Sequence, residues 1–489
     1  MSVDWPTLTL GEVCERITDG AHSSPKSVED GKSMASVKDL TRFGVNLSEA
    51  RLISKEDFEK LVKQGCQPKV GDVLIAKDGN SALDTVCTID KPLDAVMLSS
   101  VAILRPNKEK LDSDFLKYYF CSKGVIDYLK SNFISGAAIP RIVLNDFRKA
   151  EIKTPPIEKQ REISRVLRSL DNKIQLNRQT NQTLEQIAQA IFKSWFVDFE
   201  PTRAKIKAKK HWQAAQQSIK ASSPSDYAEP SDKQHQHTTS LQEAMNRAAM
   251  AAISGKTEAE LNNLPADTLQ QLRTTAELFP DTLVESELGE IPAGWEVAEL
   301  KACVVELRRG ISPKYTEEGG IRVINQKCIR NHSINFELTR LNDSLKRKVE
   351  GRLIEVGDVL VNSTGVGTLG RLAPVRYLPE VMVFDSHVTV VRANTMEISK
   401  TFLAGLLLNK ETFIEASGAG STGQTELRKQ VIEEICFAKP KLELGKIFDT
   451  IVEPINKQIA KFEQQQKNLV QIRDTLLPKL LSGELSATV

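Results

Sequence analysis

Between residues 163 and 195 the apolar side chains recur in alternating steps of four and three: Ile163, Leu167, Leu170, Ile174, then Leu184, Ala188, Ile191 and Trp195. Only Asn177 and Asn181 interrupt the ladder. It returns in the second half as Phe448, Val452, Ile455, Ile459, Phe462, Leu469, Leu476 and Leu480, broken by Gln466 and Arg473. Such spacing keeps one helical face apolar and predicts one long coiled-coil helix in each half, about 33 residues and roughly 50 Å long at 1.5 Å per residue. Two such helices in one chain are expected to pair antiparallel, with one globular domain at each end. Polar residues in an apolar seam usually fix register, and that is the role expected of Asn177, Asn181 and Gln466. Pro155-Pro156 and Pro440 mark where the helices begin, while Pro454 predicts a kink or a late start to the second.

Ahead of each helix the period shortens. Residues 1–155 and 291–440 alternate β-rich runs, such as Val73-Leu74-Ile75 and Val359-Leu360-Val361, with glycine and asparagine turns, the pattern of a compact α+β domain. The two stretches are copies. Val70-Gly71-Asp72-Val73-Leu74 returns as Val356-Gly357-Asp358-Val359-Leu360. Leu98-Ser99-Ser100-Val101 runs against Phe384-Asp385-Ser386-His387-Val388, and Asp114-Phe115-Leu116 against Thr401-Phe402-Leu403. An offset of roughly 286 positions is far longer than a solenoid repeat, so the chain is a domain duplication with internal pseudo-two-fold character. The expected order is a first α+β domain over 1–155, a helix over 156–200, a crossover over 201–290, a second α+β domain over 291–440 and a helix over 441–489. The crossover is basic at 203–210, polar at 222–237 and alanine-rich at 241–278, and is expected to be a surface segment with its own helices and some disorder.

Bulk composition narrows the class without choosing a partner. The 489 residues carry 66 Lys and Arg against 64 Asp and Glu, a net charge of +2, which neither supports nor excludes nucleic acid because DNA binders often hold a local basic face in a balanced whole. There is no apolar run of about 18 residues and no signal-peptide pattern at the start, so no membrane partner and a cytoplasmic location are expected. Seven cysteines lie scattered without Cys-x-x-Cys spacing, which predicts reduced, mostly buried thiols and neither disulfide framework nor metal site. His235 and His237 fit polar loop better than a metal pair.

Every catalytic motif that nearly appears fails in its key residue. Gly418-Ala419-Gly420-Ser421-Thr422-Gly423-Gln424-Thr425 approaches a phosphate-binding loop, but Gln424 stands where the phosphate-reaching lysine is needed. Thr154-Pro155-Pro156-Ile157 lacks the amide and the aromatic of an adenine-methyltransferase loop. Asp146, Glu151 and Lys153 loosely match a metal-dependent nuclease but have no counterpart in the second half. The chain reads as a binder without catalytic residues. Two equivalent arms on a spacer suit a long target with two contact points, such as duplex DNA repeating about every 34 Å.

At Lys173-Ile174-Gln175-Leu176-Asn177, at Ile187-Ala188-Gln189-Ala190-Ile191-Phe192-Lys193-Ser194-Trp195-Phe196-Val197-Asp198-Phe199, at Glu287-Leu288-Gly289-Glu290-Ile291-Pro292-Ala293-Gly294-Trp295 and at 471–485, the chain resembles the specificity subunits of type I restriction-modification systems. The resemblance covers nearly the whole chain and departs mainly in a longer crossover. It implies two α+β target recognition domains separated by an antiparallel two-helix coiled coil, each domain reading one half of a split, asymmetric site on double-stranded DNA. It also implies two modification subunits that methylate adenine at N6 and two restriction subunits that translocate and cleave. S-adenosylmethionine, ATP and Mg would be bound by those partners and none by this chain. The competing reading is a coiled-coil scaffold that joins partners without reading DNA.

Turns bearing amide, hydroxyl and basic side chains are where phosphates and base edges can be met. In the second domain these are Arg308, Arg309, Lys314, Tyr315, Asn325, Gln326, Lys327, Ser363, Thr364, Thr422 and Gln424, with Gln326 and Lys327 expected to read bases and Arg309 and Lys314 to hold phosphate. Family members carry similar Gly-Ile-Ser-Pro and Asn-Gln-Lys segments. The positional counterparts in the first domain are Ser23, Ser24, Lys26, Lys77, Asn80 and Arg141, with His22 as either a phosphate contact or a turn stabiliser.

Overall fold

A computed structural model describes residues 5–79, 82–135, 141–221, 240–418 and 426–486. The chain divides into two compact units. The first comprises Met1–Thr180 with Phe462–Val489, and the second Asn181–Lys461.

The first unit is built on an antiparallel sheet in the order Cys14–Asp19, Val101–Pro106, Val73–Ala76, Val86–Thr88. Val73–Ala76 lies inside that sheet and is buried at every position, which is why it reads as an unbroken apolar run rather than an alternation. A second sheet places Lys32–Ala35 between Arg51–Ile53 and Ala95–Met97, the last pair parallel. The second unit repeats the scheme. Its main sheet runs Val304–Arg309, Val388–Ala393, Val359–Asn362, Leu372–Pro374, and its second sheet again holds one parallel pair, Ile321–Ile324 with Met382–Phe384.

Three local devices recur in both copies. Gly71 and Gly357 turn the chain at φ +92° and +98°, a conformation that favours glycine, just before the central strand. Asp72 and Asp358, both buried, each accept a two-pronged guanidinium from the neighbouring strand, Arg105 and Arg392, with both bonds at 2.7 Å. Burial works against ionisation of Asp358 and leaves its carboxyl above the usual range even with Arg392 alongside. A Cβ at Gly20 or Gly310 would overlap the carbonyl oxygen of Met97 or Phe384, so only glycine allows the close strand approach at these two positions.

Helices Ser113–Phe120 and Lys123–Phe133 cover the first sheet. The core they enclose takes Ile163 and Leu167 from the helix Ile157–Phe196 and Leu477, Leu480 and Leu481 from the helix Leu442–Leu481. The second core uses the other ends of the same two helices: Phe192, Trp195 and Phe196 from one, Leu444, Phe448 and Val452 from the other. Aromatic rings dominate it, Phe196 meeting Phe402 edge-on at 4.9 Å between centroids.

The helices pair antiparallel in each unit. In the first, Arg473 binds Asp171 at 2.9 Å and Asn177 donates its amide to Gln465 at 2.9 Å. In the second, Asn181 donates to the Ile459 carbonyl at 3.2 Å, and Arg376 reaches Glu185 on one helix and Asn456 on the other. Asn177 is thus met by Gln465, next in sequence to the half-buried Gln466 that the apolar ladder places in the seam. The second helix does not start late. It runs Leu442–Leu481 through Pro454, which is exposed, as is Thr450, so the carbonyl deprived of a donor lies on a face that water can reach.

Among its described residues the crossover is mainly helical. It holds the helices Glu200–Ala221, Leu241–Ser254, Glu258–Asn262 and Ala266–Glu277, the last three sharing a small core of Ala249, Met250, Leu261 and Ala276. Lys205 is buried and donates to the Phe279 carbonyl at 2.6 Å, and Lys209 pairs with Asp281 at 2.7 Å. The polar stretch 222–237, with His235 and His237, lies outside the described residues. All seven cysteines are free thiols, four of them buried. No described helix is long and apolar enough to cross a membrane.

Candidate functional site

In the second unit the end of the central strand Val359–Asn362 meets two other segments: a short 3-10 turn, Gln326–Cys328, and the turn that enters Val388–Ala393. Asn325 builds the first of these. Its side-chain oxygen accepts the Lys327 N–H at 2.9 Å and its amide donates to the Leu338 carbonyl at 3.1 Å, so this buried residue is spent on the turn and is not a surface reader. Ser363 is likewise buried, its hydroxyl 2.5 Å from that of Thr389. Both expectations for direct contact are corrected by burial.

The side chains that do face outward are organised around Thr364. Its hydroxyl lies 3.1 Å from Gln326 Oε1 and 2.7 Å from His387 Nδ1. Asn362 steadies Gln326 from below, donating to its main-chain oxygen at 3.1 Å. Gly365, at φ +107°, leaves room for the carboxamide, since a Cβ there would come within 2.9 Å of Gln326 Oε1. His387 is held by its own N–H, which donates to Asp385 at 2.9 Å. Burial raises the Asp385 carboxyl above its usual range. Lys327 beside this cluster is exposed.

Other expected contacts split between free and committed groups. Arg309 is committed, paired with Glu426 and donating to the Leu427 carbonyl at 3.0 Å. Arg308 binds Glu306 at 2.5 Å and the Gly351 carbonyl. Lys314 is exposed at its side chain, while its N–H donates to Asn342 at 2.9 Å. The guanidinium of Arg340 lies 3.3 Å from the ring centroid of Tyr315, a cation–π contact. Thr422 and Gln424 lie outside the described residues.

The first unit uses the same frame with different chemistry. Lys77, at the position of Ser363, is only 2% exposed, with its ammonium 3.3 Å from Asp19 and 3.5 Å from Asp78. It is a buried ion-pair partner, and the expectation of a DNA contact there is corrected. Asp78 also faces Arg141 at 3.7 Å, and the Asp78–Arg141 bridge repeats the Thr364–Glu426 bridge. His22 binds Asp19 at 3.1 Å, as a turn stabiliser would, and Ser23, Ser24 and Lys26 beyond it are exposed. Asn80 lies outside the described residues.

Each unit thus ends its central sheet in outward hydrogen-bonding and charged side chains over a rigid strand frame. Among the described residues no group of three or more His, Cys, Asp or Glu is arranged to hold a metal ion. The sequence does not single out His387 as a member of this cluster. His387 sits in the segment Phe384-Asp385-Ser386-His387, whose alignment with the first copy was a signal that the turn lies beside Ser363 and Thr364.

A family model described as the type I restriction modification DNA specificity domain matches residues 2–186 and 292–472. The specificity subunit of the type I restriction enzyme HindI of Haemophilus influenzae is 27% identical over 438 residues, 85% of this chain and 87% of that one. The MjaIX specificity subunit of Methanocaldococcus jannaschii is 23% identical over 383 residues, 77% of this chain and 70% of that one. The crystal structure of a type I restriction-modification S subunit from M. genitalium shares the fold, with a TM-score of 0.50 at 15% identity, over 98% of this chain and 96% of that one.

Proposed function

Because the chain belongs to the type I restriction-modification DNA specificity family, whose domain it carries twice, we propose that each unit reads one half of a split, asymmetric site on double-stranded DNA. The chain is the non-catalytic specificity subunit of a complex that includes methyltransferase and restriction subunits. In our reading two modification subunits dock on it and methylate adenine at N6 with S-adenosylmethionine, and two restriction subunits add ATP- and Mg-dependent translocation and cleavage. The observation that carries the reading is the repetition of one strand frame with unlike side chains facing outward at its end: Asp78 and Arg141 in one unit, Gln326, Thr364 and His387 in the other. A shared frame with different outward groups suits two different half-sites.

Single-molecule methylation sequencing tests this directly, comparing cells that express the chain with its cognate modification subunit against cells lacking it. A two-part motif carrying N6-methyladenine on both strands is the expected result. No difference between the strains, with the complex shown to assemble, would favour a scaffold that does not read DNA.

A further inference from the structure

The geometry points to Gln326, Thr364 and His387 as one reading element of the second unit, in which Thr364 matches the outward hydrogen-bonding groups of the other two to an adenine. The inference rests on the reading of that unit as a DNA reader. A threonine hydroxyl has one proton and here faces two partners, Gln326 Oε1 at 3.1 Å and His387 Nδ1 at 2.7 Å. A carboxamide oxygen only accepts, so the hydroxyl proton goes to Gln326 and the hydroxyl oxygen must accept from His387. Nδ1 therefore carries a proton, and in the neutral tautomer Nε2 is an outward acceptor. The Gln326 amide nitrogen is the donor of the pair. Neither nitrogen has a partner among the described residues.

Turning the carboxamide over reverses both ends at once. The Gln326 nitrogen then donates to the hydroxyl, the hydroxyl donates to Nδ1, and the outward groups become the Gln326 oxygen and the His387 Nε2–H. In either state the pair offers one donor and one acceptor. Adenine is the base whose own major-groove edge offers the complementary set, the N7 acceptor and the N6 amino donor, whereas guanine offers two acceptors there. Thr364 is a positioning residue in this scheme. Gly365 keeps the site open for the carboxamide, and the Asp385 carboxylate holds the His387 main chain.

The test uses the complex of this chain with its cognate modification subunit and duplexes carrying the motif from methylation sequencing. Adenines of the half-site read by the second unit are replaced one at a time by 7-deazaadenine, which lacks N7, or by purine, which lacks the amino group. At one adenine the wild-type complex should lose on the order of tenfold in affinity with each analogue. Gln326→Ala should abolish one of the two penalties and His387→Ala the other. Thr364→Val should shrink both several-fold, and Thr364→Ser should restore them, which loss of a purely structural residue would not do. If Thr364→Val does not assemble, the crossed pattern of the two alanine variants decides alone. The relay is overturned if these variants respond to both analogues as the wild type does at every adenine, or if that half-site contains no adenine. A wild-type complex without any sequence preference would instead overturn the reading of the unit itself.

Discussion

Asp171 makes the strongest single demand on the first unit. It is 2% exposed and gathers four donors from three parts of the chain: Arg473 at 2.9 Å, Tyr118 at 3.0 Å with its neighbour Lys117 at 3.4 Å, and Arg42 at 3.4 Å. Burial opposes its ionisation, but the cations beside it outweigh burial and hold the carboxyl below the usual carboxylate range. Asp171→Asn keeps the shape and removes the charge. Lys117 and Arg473, both nearly buried, then lose their shared counter-ion, although Asp474 still covers one side of Arg473 at 2.7 Å. Breaking a buried pair by removing one partner costs about 3–5 kcal/mol, which in a unit of this size lowers the melting temperature by roughly 6–20 °C. The sign with pH follows from the depressed pKa. The stabilisation is present above the unfolded value near pH 4 and is lost as pH falls through the folded pKa, a dependence the asparagine variant should lack. Hydrogen exchange on the full chain reads the two units separately, so protection should fall around residues 171 and 473 and hold around 195 and 448. A variant within about 1 kcal/mol of wild type at pH 7 would refute the assignment of Asp171 as the charge that organises this contact.

The second unit has its own keyed contact. His332 occupies a left-handed hairpin position, φ +54°, between Glu185 at 3.1 Å and Glu411 at 2.6 Å. Burial alone would lower its pKa, but the two carboxylates push it up to about 9. Its contribution is therefore fully present below the unfolded value of about 6.5 and is lost as pH rises through 9. His332→Asn, which tolerates the same backbone, should cost about 1–3 kcal/mol in urea melts at pH 6 and nearly nothing at pH 10, and an equal cost at both would refute the ion-pair account. Lys314→Ala should weaken binding to all sequences alike and lower the salt slope by about 1 in binding titrations, whereas a base-dependent loss would make Lys314 a reader.

The features legible in the sequence are those set by repeated local patterns. The duplicated Val-Gly-Asp-Val-Leu segment announces a turn and a buried strand, and the steps of four and three announce the helices. What a side chain meets across space is another matter. Which of Gln465 and Gln466 meets Asn177 depends on helix rotation, which the apolar ladder fixes only to within a stripe. Lys77 looks like a free cation after a strand because Asp19, its counter-ion, lies 58 positions earlier on a different strand. Asn325 and Ser363 carry reader-like chemistry but are consumed by the turn and the sheet that hold them. The sequence does not tie His387 to its partners, Thr364 and Gln326, because they come from separate loops brought together only by the sheet order. In the crossover, Lys205 of the helix Glu200–Ala221 is buried and donates to the Phe279 carbonyl, a contact that hydropathy does not suggest.

The division of the chain also fixes an order of events during synthesis. The second unit is one continuous stretch, Asn181–Lys461, while the first needs both residues up to Thr180 and those from Phe462 onward, including Arg473, Leu477 and Leu480. At about 5–20 residues per second, the ribosome takes roughly 15–60 s to cover that gap. Throughout the interval Asp171 has no Arg473, and the apolar faces of Ile163 and Leu167 have no cover from the second long helix. The half of the protein made first is thus completed last, and a nascent chain stalled before Phe462 would present that uncovered seam to chaperones and proteases.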